Sequence, residues 1–186
     1  MKSSYLQKLD YSDVLKTLCY ILNPKRIVEF GILDGYSLKT FAENTTNCEI
    51  KAYDIFEEFN GNSAKREIIN QFKKYKNVKI EYGDFYKKEI EDNSLDILHI
   101  DIANNGDIYK FAIENYMKKI KKNGIMILEG GSEERDNIEW MIKYNKTKIK
   151  PYLDSLNYEI MTIGKIPSIT IIKKNDYINN ILSNHK

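Results

Sequence analysis

Residues 26–37 constrain the fold more than any other stretch of this 186-residue chain. They read RIVEFGILDGYS, which is a short β-rich apolar run, then a glycine-bearing turn, then the start of a helical pattern. A strand, a glycine turn and a helix in this order favour an α/β fold that holds a nucleotide-like cofactor at the turn. Gly31 permits a positive φ and the close approach of a ligand, and Glu29 ends the strand as an acid at the same opening.

The rest of the chain repeats this alternation. Apolar runs at residues 49–55, 78–84, 95–101 and 125–129 predict strands, residues 63–75 and 107–122 predict helices, and Ser132 is predicted to begin another helix. Two last strands, 158–164 and 168–173, are too close in sequence for a parallel crossover, so they form a hairpin. The predicted fold is α/β, a single doubly wound Rossmann-like domain. Its seven-stranded, mostly parallel sheet is closed by a C-terminal antiparallel β-hairpin.

Residues 24–174 form this predicted domain. One or two helices within residues 3–22 form an N-terminal helical cap over residues 1–23, which the Asn-Pro pair at 23–24 ends. Residues 175–186 form a C-terminal tail. With 42% hydrophobic and 30% charged residues, the composition is that of a globular protein. Cys19 and Cys48 are predicted to be buried free thiols.

Charge and hydropathy exclude several classes of partner. Twenty-nine basic and 27 acidic residues give a net charge of +2, which does not indicate a nucleic-acid partner. No apolar run is long enough to span a bilayer, and residues 1–5 carry no signal-peptide core. The sequence therefore predicts a cytoplasmic protein without a membrane partner, and leaves its oligomeric state open.

Acidic residues recur where the predicted parallel strands end. They are Glu29, Asp54, Asp84, Asp101 and Glu129. In a doubly wound sheet, ligands bind outside the carboxyl ends of the strands, so these acids are expected along one rim. Asp54 follows Gly35 by 19 residues (54 − 35), near the spacing at which an acid meets ribose hydroxyls.

The turn itself disfavours a dinucleotide. A pyrophosphate-binding turn needs the pattern G-x-G-x-x-G, whereas this chain has Gly31-x-x-x-Gly35, with Glu29 upstream. An acid beside the site would repel phosphate, so a cationic cofactor without phosphates fits better.

The motif Glu29-x-Gly31-x-x-x-Gly35, with Asp54 and the pair Gly83-Asp84, resembles the class I S-adenosylmethionine (SAM)-dependent methyltransferases. The order of the elements and the closing hairpin over residues 24–174 are similar to that family as well. The resemblance implies that Glu29, Gly31 and Gly35 line the methionine and ribose part of SAM, and that Asp54 binds the ribose hydroxyls. It also implies that Asp84 and Phe85 meet the adenine, and that Asp101 lies beside the methionine end.

The fourth strand, which reads LDILHID, resembles a segment of small-molecule O-methyltransferases and their sugar- and macrolide-modifying relatives. That resemblance implies that Asp101 and Glu129 bind a divalent metal such as Mg²⁺, which would lower the pKa of a substrate hydroxyl. The chain departs from the pattern around residues 104–105 and at Gly130. Without a metal, Asp101, His99 or Glu129 would be the candidate catalytic base, and His99 is also suited to a buried, hydrogen-bonded role.

Tyr36 and Arg135 are the predicted substrate-binding residues, because both lie at the same rim, and Arg135 would pair with a phosphate or carboxylate. No Asn/Asp-Pro-Pro-Tyr/Phe motif follows the fourth strand, which disfavours methylation of amino groups in bases. The sequence predicts a SAM-dependent methyltransferase acting on a small molecule, at a hydroxyl oxygen of a sugar or related metabolite. The alternatives are an NAD(P)-dependent Rossmann oxidoreductase and a non-catalytic SAM-binding domain.

Overall fold

A seven-stranded sheet organises the computed structural model, which describes residues 10–58 and 62–174. Its strands are β1 Arg26–Phe30, β2 Glu49–Asp54, β3 Val78–Tyr82, β4 Leu95–Ile100, β5 Ile120–Glu129, β6 Glu159–Gly164 and β7 Ser168–Lys173. They lie in the order β3-β2-β1-β4-β5-β7-β6. The pairs among β1 to β5 are parallel, and β7 runs antiparallel to both β5 and β6. The predicted fold class, including its closing hairpin, is confirmed.

Helices cover both faces of the sheet. They are α1 Tyr11–Leu22, α2 Tyr36–Glu43, α3 Lys65–Phe72, α4 Gly106–Tyr116, α5 Glu139–Lys143 and α6 Lys150–Asp154. Side chains of α1, α2 and α3 pack with Ile27 on one face, and those of α4 pack with Val28 and Phe30 on the other. Because both faces are buried, the central strands are continuously apolar, and a polar residue such as Glu29 must find its partners inside. None of the described helices is long and apolar enough to cross a membrane.

Two predicted boundaries in the second half of the chain are wrong. The helix predicted at residues 107–122 ends at Tyr116, and β5 already begins at Ile120, which is fully buried and pairs with Leu95. Asn123, read from the sequence as the end of a helix, lies inside β5 in a left-handed conformation (φ 64°) where the register shifts. An Asn-Gly pair within a strand therefore resembled a helix end.

The helix predicted to begin at Ser132 is also absent from the described residues. The Ser132 hydroxyl does accept a hydrogen bond from Arg135 N (3.0 Å), but only a single 3₁₀ turn follows, at Arg135–Asn137. The Asp136 carboxylate accepts bonds from the backbone of Ile149 and Lys150, which folds the chain back on itself. Of the predicted N-terminal cap, α1 is present, while residues 1–9 and the tail 175–186 lie outside the described residues.

Candidate functional site

A cleft of about 460 Å³ opens where β1, β2 and β4 end. Its volume is in the range of small-molecule sites. It is lined by Phe30, Gly31, Leu33, Tyr53, Asp54, Ile55, Asn62, Gly83, Asp84, Phe85, Tyr86, Asp101, Ile102, Ala103 and Ile108. The structure therefore brings together five of the predicted cofactor-binding residues, namely Gly31, Asp54, Asp84, Phe85 and Asp101.

The turn after β1 depends on glycine at Gly31. Its φ is +88°, and a Cβ at this position would lie 1.9 Å from the backbone oxygen of Asp101. The Gly31 amide donates to Tyr53 O at 3.0 Å, which holds the turn against the end of β2. The close approach of the β1 and β4 ends therefore requires a residue without a side chain. Gly35 (φ +77°) is the N-cap of α2 and does not line the cleft.

Asp54 joins the turn after β1 to the segment after β2. Its Oδ2 accepts a hydrogen bond from Ile32 N (2.7 Å), and its Oδ1 accepts bonds from Phe56 N (2.6 Å) and Asn62 Nδ2 (2.9 Å). A carboxylate has about four acceptor positions, so three bonds leave room for one more donor. Asp54 is 7% exposed and its side chain is fixed at the wall of the cleft.

Asp84 and Phe85 form the wall beyond β3. Asp84 Oδ1 accepts from Tyr86 N at 2.9 Å and Oδ2 pairs with Lys87 Nζ at 3.0 Å, and these two contacts lower the pKa of Asp84. Phe85 is 5% exposed and packs edge-on against Phe30, with ring centroids 5.3 Å apart. Phe85 is therefore a core aromatic residue and a cleft residue at once.

Asp101 follows β4 and has a solvent-accessible side chain within the cleft. Its amide donates to Phe30 O at 2.9 Å, which fixes the backbone beside Gly31. Protein atoms around the carboxyl group displace water and raise the pKa of Asp101; the charge of His99 lowers it, and that of Glu129 raises it again. A carboxylate with a raised pKa in a cleft is a candidate proton acceptor.

Glu29 and His99 lie together beneath this rim and do not line the cleft. Glu29 is fully buried, and its Oε1 accepts a bond from the Ser37 hydroxyl and lies 2.9 Å from His99 Nδ1. His99 packs against the ring of Phe41 on the face that α2 covers. Burial lowers the pKa of His99, but the hydrogen bond to Glu29 and the Glu29 charge raise it above its ordinary value. The pair is a buried structural contact that supports the turn.

Glu129 is bound by Arg135. The Arg135 Nε lies 2.7 Å from Oε1 of Glu129, and Nη2 lies 3.0 Å from Oε2, which is the two-pronged geometry of a strong ion pair. The side chain of Asn104 donates to the backbone of Ile100 and of Glu129, so it ties the ends of β4 and β5 together. Neither Glu129 nor Arg135 lines the cleft.

Tyr36, predicted to contact the substrate, begins α2 and is 59% exposed. Its hydroxyl donates to Asp10 Oδ1, and Asp10 is the N-cap of α1, so Tyr36 joins the two helices outside the cleft. Sequence reasoning missed most of the apolar cleft residues, among them Tyr53, Tyr86 and Ile108. Their only signal was proximity to strand ends, which a helix residue such as Ile108 lacks.

Asp136 is expected to stabilise the loop after β5. Replacing it with asparagine puts an amide donor against one of the two N–H groups, Ile149 N or Lys150 N, that the carboxylate now accepts at 2.7 Å. We expect Asp136→Asn to lower the free energy of unfolding by about 1–3 kcal/mol in urea denaturation. Asp154→Asn, which removes only an exposed partner of Lys150, should change it little. Equal stabilities for the two variants would contradict this role.

Several solved structures with the same architecture are methyltransferases. A structure assigned as a caffeoyl-CoA O-methyltransferase from Staphylococcus aureus is 19% identical, with a TM-score of 0.65 over 91% of this chain and 86% of that chain. A tRNA methyltransferase from Aquifex aeolicus is 16% identical, with a TM-score of 0.60 over 92% and 72%. Human N-acetylserotonin methyltransferase in complex with SAM is 14% identical, with a TM-score of 0.62 over 88% and 51%. No protein-family model and no curated protein matches the sequence.

The chain therefore has the fold of the class I methyltransferases, the family that its sequence motifs resemble. At identities below 20% this likeness establishes the fold, and the acceptors of these structures differ from one another. Function has to be argued from the cleft.

Proposed function

We propose that this protein is a SAM-dependent methyltransferase whose acceptor is a small molecule, methylated at a hydroxyl oxygen of a sugar or related metabolite. The charge of the cleft carries the proposal. Three carboxylates, Asp54, Asp84 and Asp101, line it, and none of its described lining residues is a lysine, arginine or histidine. A cofactor with a positive charge and no phosphate suits such a site, whereas the pyrophosphate of NAD(P) would be repelled.

Each cleft residue then has a role suited to its position. Asp54 accepts a ribose hydroxyl with its remaining acceptor position, Asp84 faces the adenine amino group, and Phe85 packs on the adenine ring. Gly31 lets the methionine part approach the backbone. Glu29 and Gly35 act behind the site, Glu29 through Ser37 in the first turn of α2 and Gly35 as the N-cap of that helix.

When bound, SAM supplies a methyl group on a positively charged sulfur. Transfer to an acceptor hydroxyl would require a group of the protein that takes up the hydroxyl proton. Asp101 is suited to accept that proton, since its carboxylate is accessible in the cleft and its pKa is raised. Glu129 is held by Arg135, and His99 is buried against Glu29, so neither is available as the base.

The predicted Mg²⁺ pair does not fit these side chains. Both carboxylate oxygens of Glu129 are engaged by Arg135, whose charge would also repel a cation. Among the described residues, no three His, Cys, Asp or Glu side chains are grouped so as to hold a metal ion. Asp101 and Glu129 therefore do not form the metal site that the resemblance implies.

Removal of Asp54 tests the cofactor site. We expect Asp54→Ala to weaken SAM binding roughly 10- to 100-fold in calorimetric titration, because a charge-assisted bond to the ribose is lost. Asp92→Ala is the matched control. It removes the same charge from the far end of β4, where Asp92 pairs with Lys119, and should leave affinity unchanged. Unchanged affinity in Asp54→Ala would contradict the assignment.

Methyl transfer is tested by formation of S-adenosylhomocysteine with panels of hydroxylated small molecules. With a productive acceptor we expect Asp101→Asn to lower turnover roughly 100-fold or more while SAM affinity stays within a few fold. Addition of EDTA should not change the rate. A protein that binds SAM but transfers no methyl group to any acceptor class would favour the non-catalytic alternative, and full activity of Asp101→Asn would exclude Asp101 as the base.

A further inference from the structure

A cationic segment contacts the start of α4, close in sequence to the cleft-lining residues 101–103. Residues 142–148 are exposed throughout and belong to the chain that leaves the carboxyl end of β5. Thr147 O accepts a hydrogen bond from Gly106 N (2.7 Å), and Gly106 begins α4 directly after the loop that carries the cleft residue Ala103. Asp136 accepts a hydrogen bond from the amide of Ile149 (2.7 Å), the residue that directly follows the segment. Backbone contacts therefore hold the C-terminal end of the segment next to the start of α4.

Lys143, Lys146 and Lys148 give this segment an uncompensated positive charge. Within residues 10–58 and 62–174, none of the three has a carboxylate within 4 Å. Their contacts are the ring of Tyr144, the ring of Trp140 and the side-chain oxygen of Asn137, respectively. Nearby lysines differ: Lys150 pairs with Asp154, and Lys165 with Glu134. Uncompensated cations next to a cleft attract anionic ligands.

Trp140 gives the same region a flat apolar surface. Its half-buried ring lies 5.6 Å from the guanidinium carbon of Arg135 and 5.7 Å from Lys146 Nζ. Arg135 is itself held by two bonds to Glu129, so the ring rests on a rigid support. An indole beside a guanidinium and an ammonium group suits a ligand that combines a ring with a negative charge.

We propose that Trp140, Lys143, Lys146 and Lys148, here called the cationic rim, form a subsite for a phosphate or carboxylate group of a small-molecule methyl acceptor. This inference rests on the proposed function and adds the charge of the acceptor to it. A small molecule fits better than a nucleic acid, because the three rim lysines lie within six residues of one another while the adjoining cleft is acidic and the net charge is only +2. The acceptor is thus an anionic hydroxyl compound.

Trp140 is the only tryptophan of the chain and reports directly on the rim. We would titrate the SAM-saturated protein with inorganic tripolyphosphate and with citrate, and follow tryptophan fluorescence. We expect a saturable change with at least one anion, and the better of the two identifies phosphate or carboxylate as the preferred group. K143Q/K146Q/K148Q should weaken binding roughly 10-fold, whereas K73Q/K74Q/K76Q, with the same loss of charge immediately after α3, should stay near wild type.

The outcomes separate this inference from the proposed function. No saturable change in the wild type, or equal losses in both triple variants, would overturn the rim. A short single-stranded RNA that binds more tightly than both anions, and through the same lysines, would also overturn the small-molecule assignment. If SAM binds but neither anion does, the anion subsite is rejected and the proposed methyltransferase function is not. Anion binding by a protein to which SAM does not bind supports an anion site but rejects the methyltransferase.

Discussion

Replacement of Glu29 with alanine is expected to lower the free energy of unfolding by about 3–5 kcal/mol. Glu29 is fully buried, and its carboxylate is the partner of both the Ser37 hydroxyl and His99 Nδ1. Without it, His99 stays in the sheet interior with no counter-charge, and the polar group must be buried unpaired or the strands must separate. Urea denaturation of the ligand-free protein measures the change.

The stability lost on replacing Glu29 should be larger at low pH than at high pH. Glu29 raises the pKa of His99 in the folded state, so the pair contributes stability that is fully present below the unfolded pKa of about 6.5. That contribution is lost as the pH rises through the raised folded pKa. We therefore expect the difference between wild type and Glu29→Gln to be larger at pH 6 than at pH 9.

A double variant provides the control. Glu29→Leu combined with His99→Leu removes both polar groups and should recover much of the stability lost in Glu29→Ala, without the pH dependence. The two single variants, Glu29→Leu and His99→Leu, complete the comparison. If the stability lost in the double variant equals the sum of the losses in these two, Glu29 and His99 are not coupled, which would contradict the proposed role of the buried pair.

Gly31→Ala is expected to abolish detectable SAM binding and to lower the free energy of unfolding by about 3 kcal/mol or more. The residue has a φ of +88°, which L-residues adopt at a cost, and a Cβ there would lie 1.9 Å from Asp101 O. The ends of β1 and β4 must therefore separate, which displaces Asp101 relative to Gly31. Titration with SAM and urea denaturation measure the two effects separately.

Gly164→Ala is the matched control for this substitution. Gly164 also has a positive φ (+82°), and its Cβ would collide with the Tyr11 hydroxyl, but it ends β6 and does not line the cleft. It should be destabilised and still bind SAM with wild-type affinity. Wild-type SAM affinity in Gly31→Ala would contradict the close approach at the turn.

The fold could be predicted because hydrophobic pattern and chain length allow few alternatives. The short connection between residues 164 and 168 permits only a hairpin, and the repeated alternation of strands and helices permits only a parallel sheet before it. The predicted ends of helices and strands were wrong where pairing between distant strands outweighed the local sequence pattern. Ile120 became part of β5 because it pairs with Leu95, although its neighbours read as a helix.

Some cleft residues could be predicted from the sequence, because the carboxyl ends of parallel strands lie at the same edge of the sheet. Asp54, Asp84 and Asp101 line the cleft as expected, because each follows or ends a parallel strand. Glu29 is the penultimate residue of β1, yet it faces the opposite side of the sheet, where its carboxylate contacts His99. The Glu129–Arg135 pair depends on the path of a loop, which no periodicity specifies.

Calorimetric titration of the wild-type protein with SAM, with NADH in a parallel titration, tests the central claim most directly. An acidic cleft that accepts a cationic cofactor predicts one SAM site with a dissociation constant of about micromolar, and no heat with NADH. Absence of SAM binding, or binding of NADH in its place, would contradict the methyltransferase assignment.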